Sequence, residues 1–464
     1  MAKLIGQTFI QELEKRVKAH HTRVIHALDL ANTLPPNAPD SKRKALIEQA
    51  CHLATAVAPH VVAIKLNYPL VLAVGLEIAH QLKLIVPEIP LIADFKVADI
   101  DNTNAWIARH TFAAGIDAII VQGFIGSDAI QGVVQEAKIA DDRGIILVVD
   151  MSHPGAGQFI HPETPRLVDL AKQMRVTGVI APGTRPAHVR AIRNQIGTAP
   201  LILAPGVGAQ GGKPGSAIAA GANYEIIGRS IYTAKNPAMT AKEFAFQTFT
   251  VKPQLKPSPE EEAELLRAVA VLLHNVGAIQ FGDFTLASGK KSPYYIDLRV
   301  IPSFPNEFKA LTDLLTQWII GHSKIQFTRI AGVPTAGISF ATAVCNRLNI
   351  PLLYIRKHPK KHGRQKRVEG ILEKGDQVLV IDDLITDGGS KLGAVEALRE
   401  AGAKVTDVLV VVDREQGGAE QLKKKKITLH TLASISPIIK ALETEKRLSA
   451  TDAKRILAYI ANPD

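Results

Sequence analysis

The chain has 464 residues, too many for one ordinary core, and reads as two domains of roughly 200–250 residues each. Hydrophobic residues make up 46%, charged residues 21% and aromatic residues 5%, a soluble α/β composition in which no apolar run approaches the ~18–20 residues that cross a membrane. A formal charge of +11 fits nucleic acid or small phosphorylated substrates; the basic residues bunch in loops, which favours small phosphorylated substrates.

Residues 1–22 predict an amphipathic helix without a secretory apolar core. Short apolar strands follow at 23–28, ending at Asp29, and at 61–66, carrying Lys65. Helices are predicted at 43–56 and 70–82, then a buried strand at 90–93 that runs into Asp94, Lys96 and Asp99. Helix 103–114, which begins at Thr103, leads to strands at 118–121, 145–149, 178–181, 201–204 and 224–227, with helices at 127–141 and 164–173 among them. Eight strands alternating with helices in residues 1–251 predict a closed (β/α)8 TIM barrel; an open, doubly wound sheet is the alternative. Residues 252–262 (KPQLKPSPEEE) read as a linker, with a new helix from 262 to 276.

Residues 263–464 change style. A hairpin or a loop between short strands is expected over 284–297, a helix over 305–321, and strands at 329–333, 351–356, 377–381, 405–412 and 427–432. A helix is expected at 391–401 and a last one near the C-terminus, giving an open α/β sheet. Cys51 and Cys345 lie far apart, so no disulfide is expected and a reducing compartment suits the chain.

Two places carry chemistry in the first domain. Asp94 and Lys96 are two apart, so on extended backbone their side chains point the same way, and Asp29 and Lys65 end neighbouring strands. Two ammonium groups and two carboxylates in a partly dry pocket hold one another ionised, and such a lysine can deliver a proton to a carbanion. Further along, Pro205–Gly212 (PGVGAQGG) and Gly228-Arg229-Ser230 each follow a strand. Backbone N–H groups and one arginine are what a phosphate dianion requires; simple tight turns are the alternative.

In the second domain VLVIDDLITDGGS (378–390) places Asp382 and Asp383 at a strand end, before a loop of Thr386, Asp387, Gly388, Gly389 and Ser390 that opens a helix. Small residues at a helix N-terminus make a nest for phosphate, and the aspartates can take ribose hydroxyls directly or through metal-bound water. Residues 356–367 hold seven Lys or Arg and no acid, which fits a lid over pyrophosphate, a solvated charge run or a nucleic-acid patch.

DFKVADI, SHPGAGQF, PGVGAQGG and IIGRSIY together resemble orotidine 5'-phosphate decarboxylase, particularly its archaeal-type branch. That resemblance implies cofactor-free decarboxylation of orotidine 5'-monophosphate (OMP) to UMP. It implies that Lys96 protonates C6, that Asp94 sits against the substrate carboxylate, and that Lys65 and Asp29 hold the ribose hydroxyls and the charge array. By the same resemblance Asp99 and Thr103 reach into a neighbouring subunit's site, Ser152 contacts the pyrimidine, Gln210, Gly228 and Arg229 bind the phosphate, and a loop near 154–159 closes over the site.

The second domain resembles type I phosphoribosyltransferases, and among them orotate phosphoribosyltransferase, through VLVIDDLITDGGS, FTLASGKKSPYYIDLR, RKHPKKHG and VVDREQGG. This implies that Lys360 and His362 stabilise departing pyrophosphate, with Arg356, Lys357 and Lys361 as further diphosphate contacts. Asp382, Asp383 and Thr386–Ser390 would grip the ribose 5-phosphate, and Arg414 the orotate. Mg2+ would ride on 5-phosphoribosyl 1-diphosphate (PRPP), near Asp382 and Asp383. Ala287 stands where many relatives carry lysine, and Lys290 and Lys291 are nearby.

The two activities are consecutive, so the whole resembles a fusion that makes UMP from orotate. Its decarboxylase-first order is like that of cyanobacterial and trypanosomatid fusions. A homodimer or homotetramer with shared sites is expected, without nucleic acid or membrane. The ending Asn462-Pro463-Asp464, unlike a peroxisomal tripeptide, gives the expectation of a cytoplasmic protein from a bacterium. The competing readings are the same folds acting on other substrates, as a sugar-phosphate decarboxylase joined to a different phosphoribosyltransferase, and a basic nucleic-acid-binding protein.

Overall fold

The computed structural model describes residues 3–30, 34–35, 37–256, 259–285, 289, 291–321, 325–356 and 367–462. The chain divides into two compact units, residues 1–256 and 257–464.

In the first unit eight parallel strands close into a barrel: β1 (Val24–Leu28), β2 (Ala63–Asn67), β3 (Leu91–Val97), β4 (Ala118–Gln122), β5 (Gly144–Val148), β6 (Gly178–Ile180), β7 (Leu201–Pro205) and β8 (Tyr224–Ile227). The open doubly wound alternative is therefore excluded. Strand side chains alternate between two layers. Ile25, Ala27, Ala63, Ile92 and Ile120 fill the interior, whereas Val24, Leu28, Ile64, Leu91 and Ile119 face the surrounding helices. Phe9 and Leu13 of the helix Gln7–His20 join the interior cluster and plug one end of the barrel. That helix is shorter than expected because Gly6, in the left-handed region at φ 76°, starts it; the Asp142 carboxylate accepts from the N–H groups of Gly6 and Gln7 at 2.9 and 2.8 Å.

Three other expectations shift. The helix read over 70–82 is two, Tyr68–Val74 and Glu77–Ile85, broken at Gly75, whose φ is 77°. The helix read from 164 begins at Ala156 and runs to Met174 through Pro162 and Pro165, so most of the expected 154–159 loop is helical. In the stretch read as a linker, Gln254 donates its N–H to Ala219 O at 2.6 Å and accepts from Arg190 Nε at 3.3 Å, which ties it to the barrel, and the next helix starts at Pro259.

The second unit holds a hairpin, β9 (Ile279–Thr285) with β10 (Lys291–Ile296), whose register slips between Ser292 and Tyr294, where Pro293 has no N–H to donate. Its main sheet contains β11 (Arg329–Gly332), β12 (Leu352–Ile355), β13 (Val368–Glu369), β14 (Gln377–Ile385), β15 (Lys404–Asp413) and β16 (Thr428–Ser434). The order is β13-β12-β11-β14-β15-β16, with only β13 antiparallel. Alternation buries both faces: Leu379, Ile381, Leu409 and Val411 pack on one side, Val378, Val380, Val408 and Val410 on the other. Among the described residues no single helix is long and apolar enough to cross a membrane.

Candidate active site

Period-two alternation carries three charged groups to the barrel mouth. Lys65 sits inward two residues beyond Ala63, Asp94 two beyond Ile92, and Asp29 two beyond Ala27. The strand registers place Ala27 beside Lys65 and Asn67 beside Asp94. Lys65 Nζ lies 2.7 Å from Asp94 Oδ2 and 3.7 Å from Asp29 Oδ1, and Lys96 Nζ lies 2.6 Å from Asp94 Oδ1. Lys65 is almost wholly buried and Lys96 is 40% exposed, so the more accessible ammonium of the array is that of Lys96.

Burial pushes the Asp94 carboxyl up, but the ammonium groups of Lys65 and Lys96 outweigh it and hold its pKa below the ordinary value. Burial likewise lowers Lys65, and Asp94 with Asp29 outweighs it, so its pKa is raised. Both groups are thus charged at neutral pH.

Lys96 does not lie on extended backbone. Its φ is +47°, in the left-handed region, and β3–β4 pairing slips between Ala93 and Val97. A non-glycine residue held there costs about 1–3 kcal/mol and persists where the surroundings over-determine it.

The array opens into a cavity of about 290 Å³. Asp29, Lys65, Asp94 and Lys96 line it together with Ser152, Gln210, Gly228 and Arg229. The loop after β7 turns on Gly206 and Gly208, at φ 102° and 79°, and closes with Gly208 N–H donating to Gly212 O at 2.8 Å. Ala209 N–H donates to Ser230 Oγ at 3.0 Å, and Ser152 Oγ donates to Gln210 Oε1 at 3.2 Å. Met151, Val207 and Tyr232 also line the cavity; no role was expected of them individually, although Val207 and Tyr232 lie inside PGVGAQGG and IIGRSIY and Met151 directly precedes SHPGAGQF. Asp99 and Thr103 do not line it. Asp99 is exposed beside the helix Asp101–Ala113, and Thr103 is half-buried on that helix, next to exposed Ile100 and Trp106.

In the second unit β14 continues through Asp382 and Asp383 to Ile385 rather than ending before them. Asp382 is buried: its Oδ2 meets Lys391 Nζ at 2.7 Å and its Oδ1 accepts from Asp383 N–H at 2.9 Å. Burial pushes its pKa up, Lys391 opposes this, and Asp383 adds to it. Asp382 is thus committed to Lys391, and half-buried Asp383 is the carboxylate better placed for a ligand. Asp387 Oδ1 accepts from Gly389 N–H at 3.0 Å, and left-handed Gly388 starts the helix Gly389–Glu400. Thr386 is half-buried; Gly389 and Ser390 are exposed at the mouth of this turn.

Arg414 follows β15, with its guanidinium 5.2 Å from the ring centroid of buried Tyr294. Its Nε and Nη2 are buried with no hydrogen-bond partner among the described residues. Such donors are costly to leave unmade, and a carboxylate satisfies them. The Arg356 guanidinium is paired with Glu369 of β13, so it is less available to diphosphate than expected. Lys357, Lys360, Lys361 and His362 lie outside the described residues, as do Ala287 and Lys290.

Residues 22–244 match the model of the orotidine 5'-phosphate decarboxylase / HUMPS family. The orotidine 5'-phosphate decarboxylase of Thermococcus kodakarensis is 48% identical over 195 residues, 42% of this chain and 88% of that protein. The chain belongs to the orotidine 5'-phosphate decarboxylase family. Another relative, the orotidine 5'-phosphate decarboxylase of Methanosarcina barkeri, is 46% identical over 200 residues, covering 43% of this chain and 88% of its own length. Beyond the decarboxylase barrel, residues 303–439 match the phosphoribosyl transferase domain model. The structure of Leishmania donovani UMP synthase aligns over 98% of this chain and 99% of its own, with a TM-score of 0.59 and 25% identity.

Proposed function

We propose that the chain makes UMP from orotate in two steps. The second unit joins orotate to PRPP, releasing pyrophosphate, and the barrel decarboxylates the resulting OMP. The observation that carries the reading is the Asp29–Lys65–Asp94–Lys96 array sharing one cavity with the Gly206–Gln210 loop and Arg229.

In the barrel the phosphate docks on Gln210, Arg229 and the backbone near Gly228, and Ser152 meets the pyrimidine. Lys65 and Asp29 take the ribose hydroxyls. Asp94, held ionised, faces the substrate carboxylate, and Lys96 delivers its proton to C6 as carbon dioxide departs. A positioned ammonium stabilises carbanion character without reorganising at the moment of reaction. Asp99 and Thr103 are assigned to a neighbouring copy's site. The exposed Ile100 and Trp106 around them, 66% and 52% accessible, fit burial in a homodimer or a larger assembly.

In the second unit Asp383 and the Thr386–Ser390 turn take the ribose 5-phosphate, and Arg414 takes the orotate carboxylate. Asp383 and Asp387 offer the oxygen donors that magnesium prefers; bound there with PRPP, the ion would supply charge neutralisation of the diphosphate. Lys360 and His362 are assigned to pyrophosphate release. The free, buried Cys51 and Cys345 suit a cytoplasmic location.

The test supplies orotate, PRPP and Mg2+ and follows the products by chromatography. UMP is expected from the unaltered chain, and OMP should accumulate with Lys96→Ala. A folded chain that consumes orotate but yields no UMP overturns the decarboxylase assignment; one that consumes no orotate overturns the transferase assignment.

A further inference from the structure

Asp150 stands at the end of β5, is wholly buried, and has three hydrogen-bond donors converging on its carboxylate. Its Oδ1 accepts from Met151 N–H at 2.8 Å and meets His161 Nδ1; its Oδ2 meets His188 Nδ1 at 2.8 Å. His161 projects from the helix Ala156–Met174 and His188 from the helix Pro186–Ile196, and the rings stand edge to face with centroids 5.1 Å apart. On its far side the His161 Nε2 meets a guanidinium nitrogen of Arg185, which follows β6.

Because a guanidinium can only donate, this Nε2 is an acceptor, so the His161 proton is on Nδ1 and points at Asp150. The relay is internally satisfied: arginine to imidazole, imidazole to carboxylate. The same three ligating side chains could surround a metal ion. A metal on Nδ1 would leave the proton on Nε2, facing the guanidinium, so Arg185 argues against that use. Burial pushes the Asp150 pKa up, and the hydrogen bonds from the two histidines outweigh it, which leaves an anion able to accept all three donors.

The carboxylate therefore pins the residue directly before Ser152 and two helices behind the cavity wall. We propose that Asp150 is a positioning residue of the decarboxylase site, which fixes Ser152 against the pyrimidine by clamping the Met151 N–H and the rings of His161 and His188. This rests on the assignment of OMP as the barrel's substrate. No motif spacing announces it, since the three side chains lie on a strand end and two separate helices.

The test uses the full chain with Asp150→Asn, His188→Gln and Ser152→Ala, alone and combined. Asp150→Asn should lower kcat/KM for OMP between about tenfold and a hundredfold, the scale for misplacing a contact group by about an ångström. In the Ser152→Ala background the same change should cost little more, because two residues acting through one contact are not additive. His188→Gln, which leaves Asp150 in place, should show a smaller loss with the same non-additivity. Transferase turnover on orotate and PRPP should be unchanged in all three.

Hydrogen exchange gives a readout that needs no turnover: Asp150→Asn should speed exchange at residues 151–161 and 184–188 while the opposite wall around Lys65 keeps its protection. Additive losses, or unchanged exchange in those two segments, would overturn the proposal. If the unaltered chain fails on OMP but the two segments loosen, the substrate assignment falls and the clamp stands.

Discussion

Lys391 Nζ lies 2.7 Å from Asp382 Oδ2, with the two side chains only 7% and 5% exposed. A pair this deep loses nearly all its hydration, so its net worth is small, yet breaking it from one side is expensive. Lys391→Met leaves the buried Asp382 carboxylate without its cation and should cost the second unit about 3–5 kcal/mol in denaturant unfolding. The double variant Lys391→Met, Asp382→Leu should recover part of that loss. Equal instability of the single and double variants would show that the pair's charge is not what Lys391 supplies.

Arg414 carries the second prediction. With Nε and Nη2 buried and without a hydrogen-bond partner among the described residues, its guanidinium is short of an acceptor that an anionic substrate would provide. Hydrogen bonds to a charged group are worth about 1.5–3 kcal/mol, so Arg414→Met should raise the KM for orotate roughly ten- to a hundredfold. The KM for PRPP should move far less. Initial rates of pyrophosphate release over a grid of both substrates check this, and equal shifts in the two KM values would remove Arg414 from the orotate pocket.

Lys96 and Lys391 mark the limits of what the sequence made legible. The eight-strand alternation announced the barrel because buried parallel strands are short apolar runs separated by helices. The Asp29, Lys65 and Asp94 positions followed because each ends a short apolar strand, and strand ends on one side of a barrel meet at its mouth. Lys96 obeyed no such rule: its left-handed backbone returns it to Asp94 by a path that periodicity cannot foresee. Lys391 stands directly after the loop of small residues, at the start of the helix expected over 391–401, and nothing in its spacing marks it as buried. Only the fold shows that this face of the helix turns inward onto Asp382. The Asp150–His161–His188 cluster was invisible for a related reason, since its members meet only after three elements pack.

His26 gives a pH dependence with a definite sign. It is wholly buried, its Nδ1 lies 3.2 Å from Ile227 O, and burial lowers its pKa from 6.5 to about 4. The unfolded chain therefore takes up a proton near pH 6.5 that the folded barrel refuses until about pH 4. The stability of the neutral imidazole is complete above 6.5, falls as the pH drops, and is fully lost near 4. At about 1.4 kcal/mol per unit the loss is roughly 3 kcal/mol. Unfolding midpoints at pH 7, 6 and 5 should fall more steeply for the unaltered chain than for His26→Leu; parallel curves would rule His26 out as the source.

Gly206 tests the phosphate site proposed for the barrel cavity. Its φ of 102° suits glycine, and a Cβ there would stand 2.9 Å from Thr184 Cγ2, 3.3 Å from Gln210 Oε1 and 3.5 Å from Ser152 Cβ. Gly206→Ala therefore strains the turn and crowds the contact between Ser152 and Gln210. Left-handed strain of this kind costs about 1–3 kcal/mol, and the loop can relieve it by moving Gln210 away from the proposed phosphate position. The KM for OMP should rise about tenfold, since each 1.4 kcal/mol is a factor of ten. The chain contains its own control, because the second unit does not use this loop: orotate and PRPP should be consumed at the unaltered rate while OMP accumulates ahead of UMP. If UMP keeps pace with orotate consumption at low OMP, the loop tolerates the side chain and the phosphate is held elsewhere.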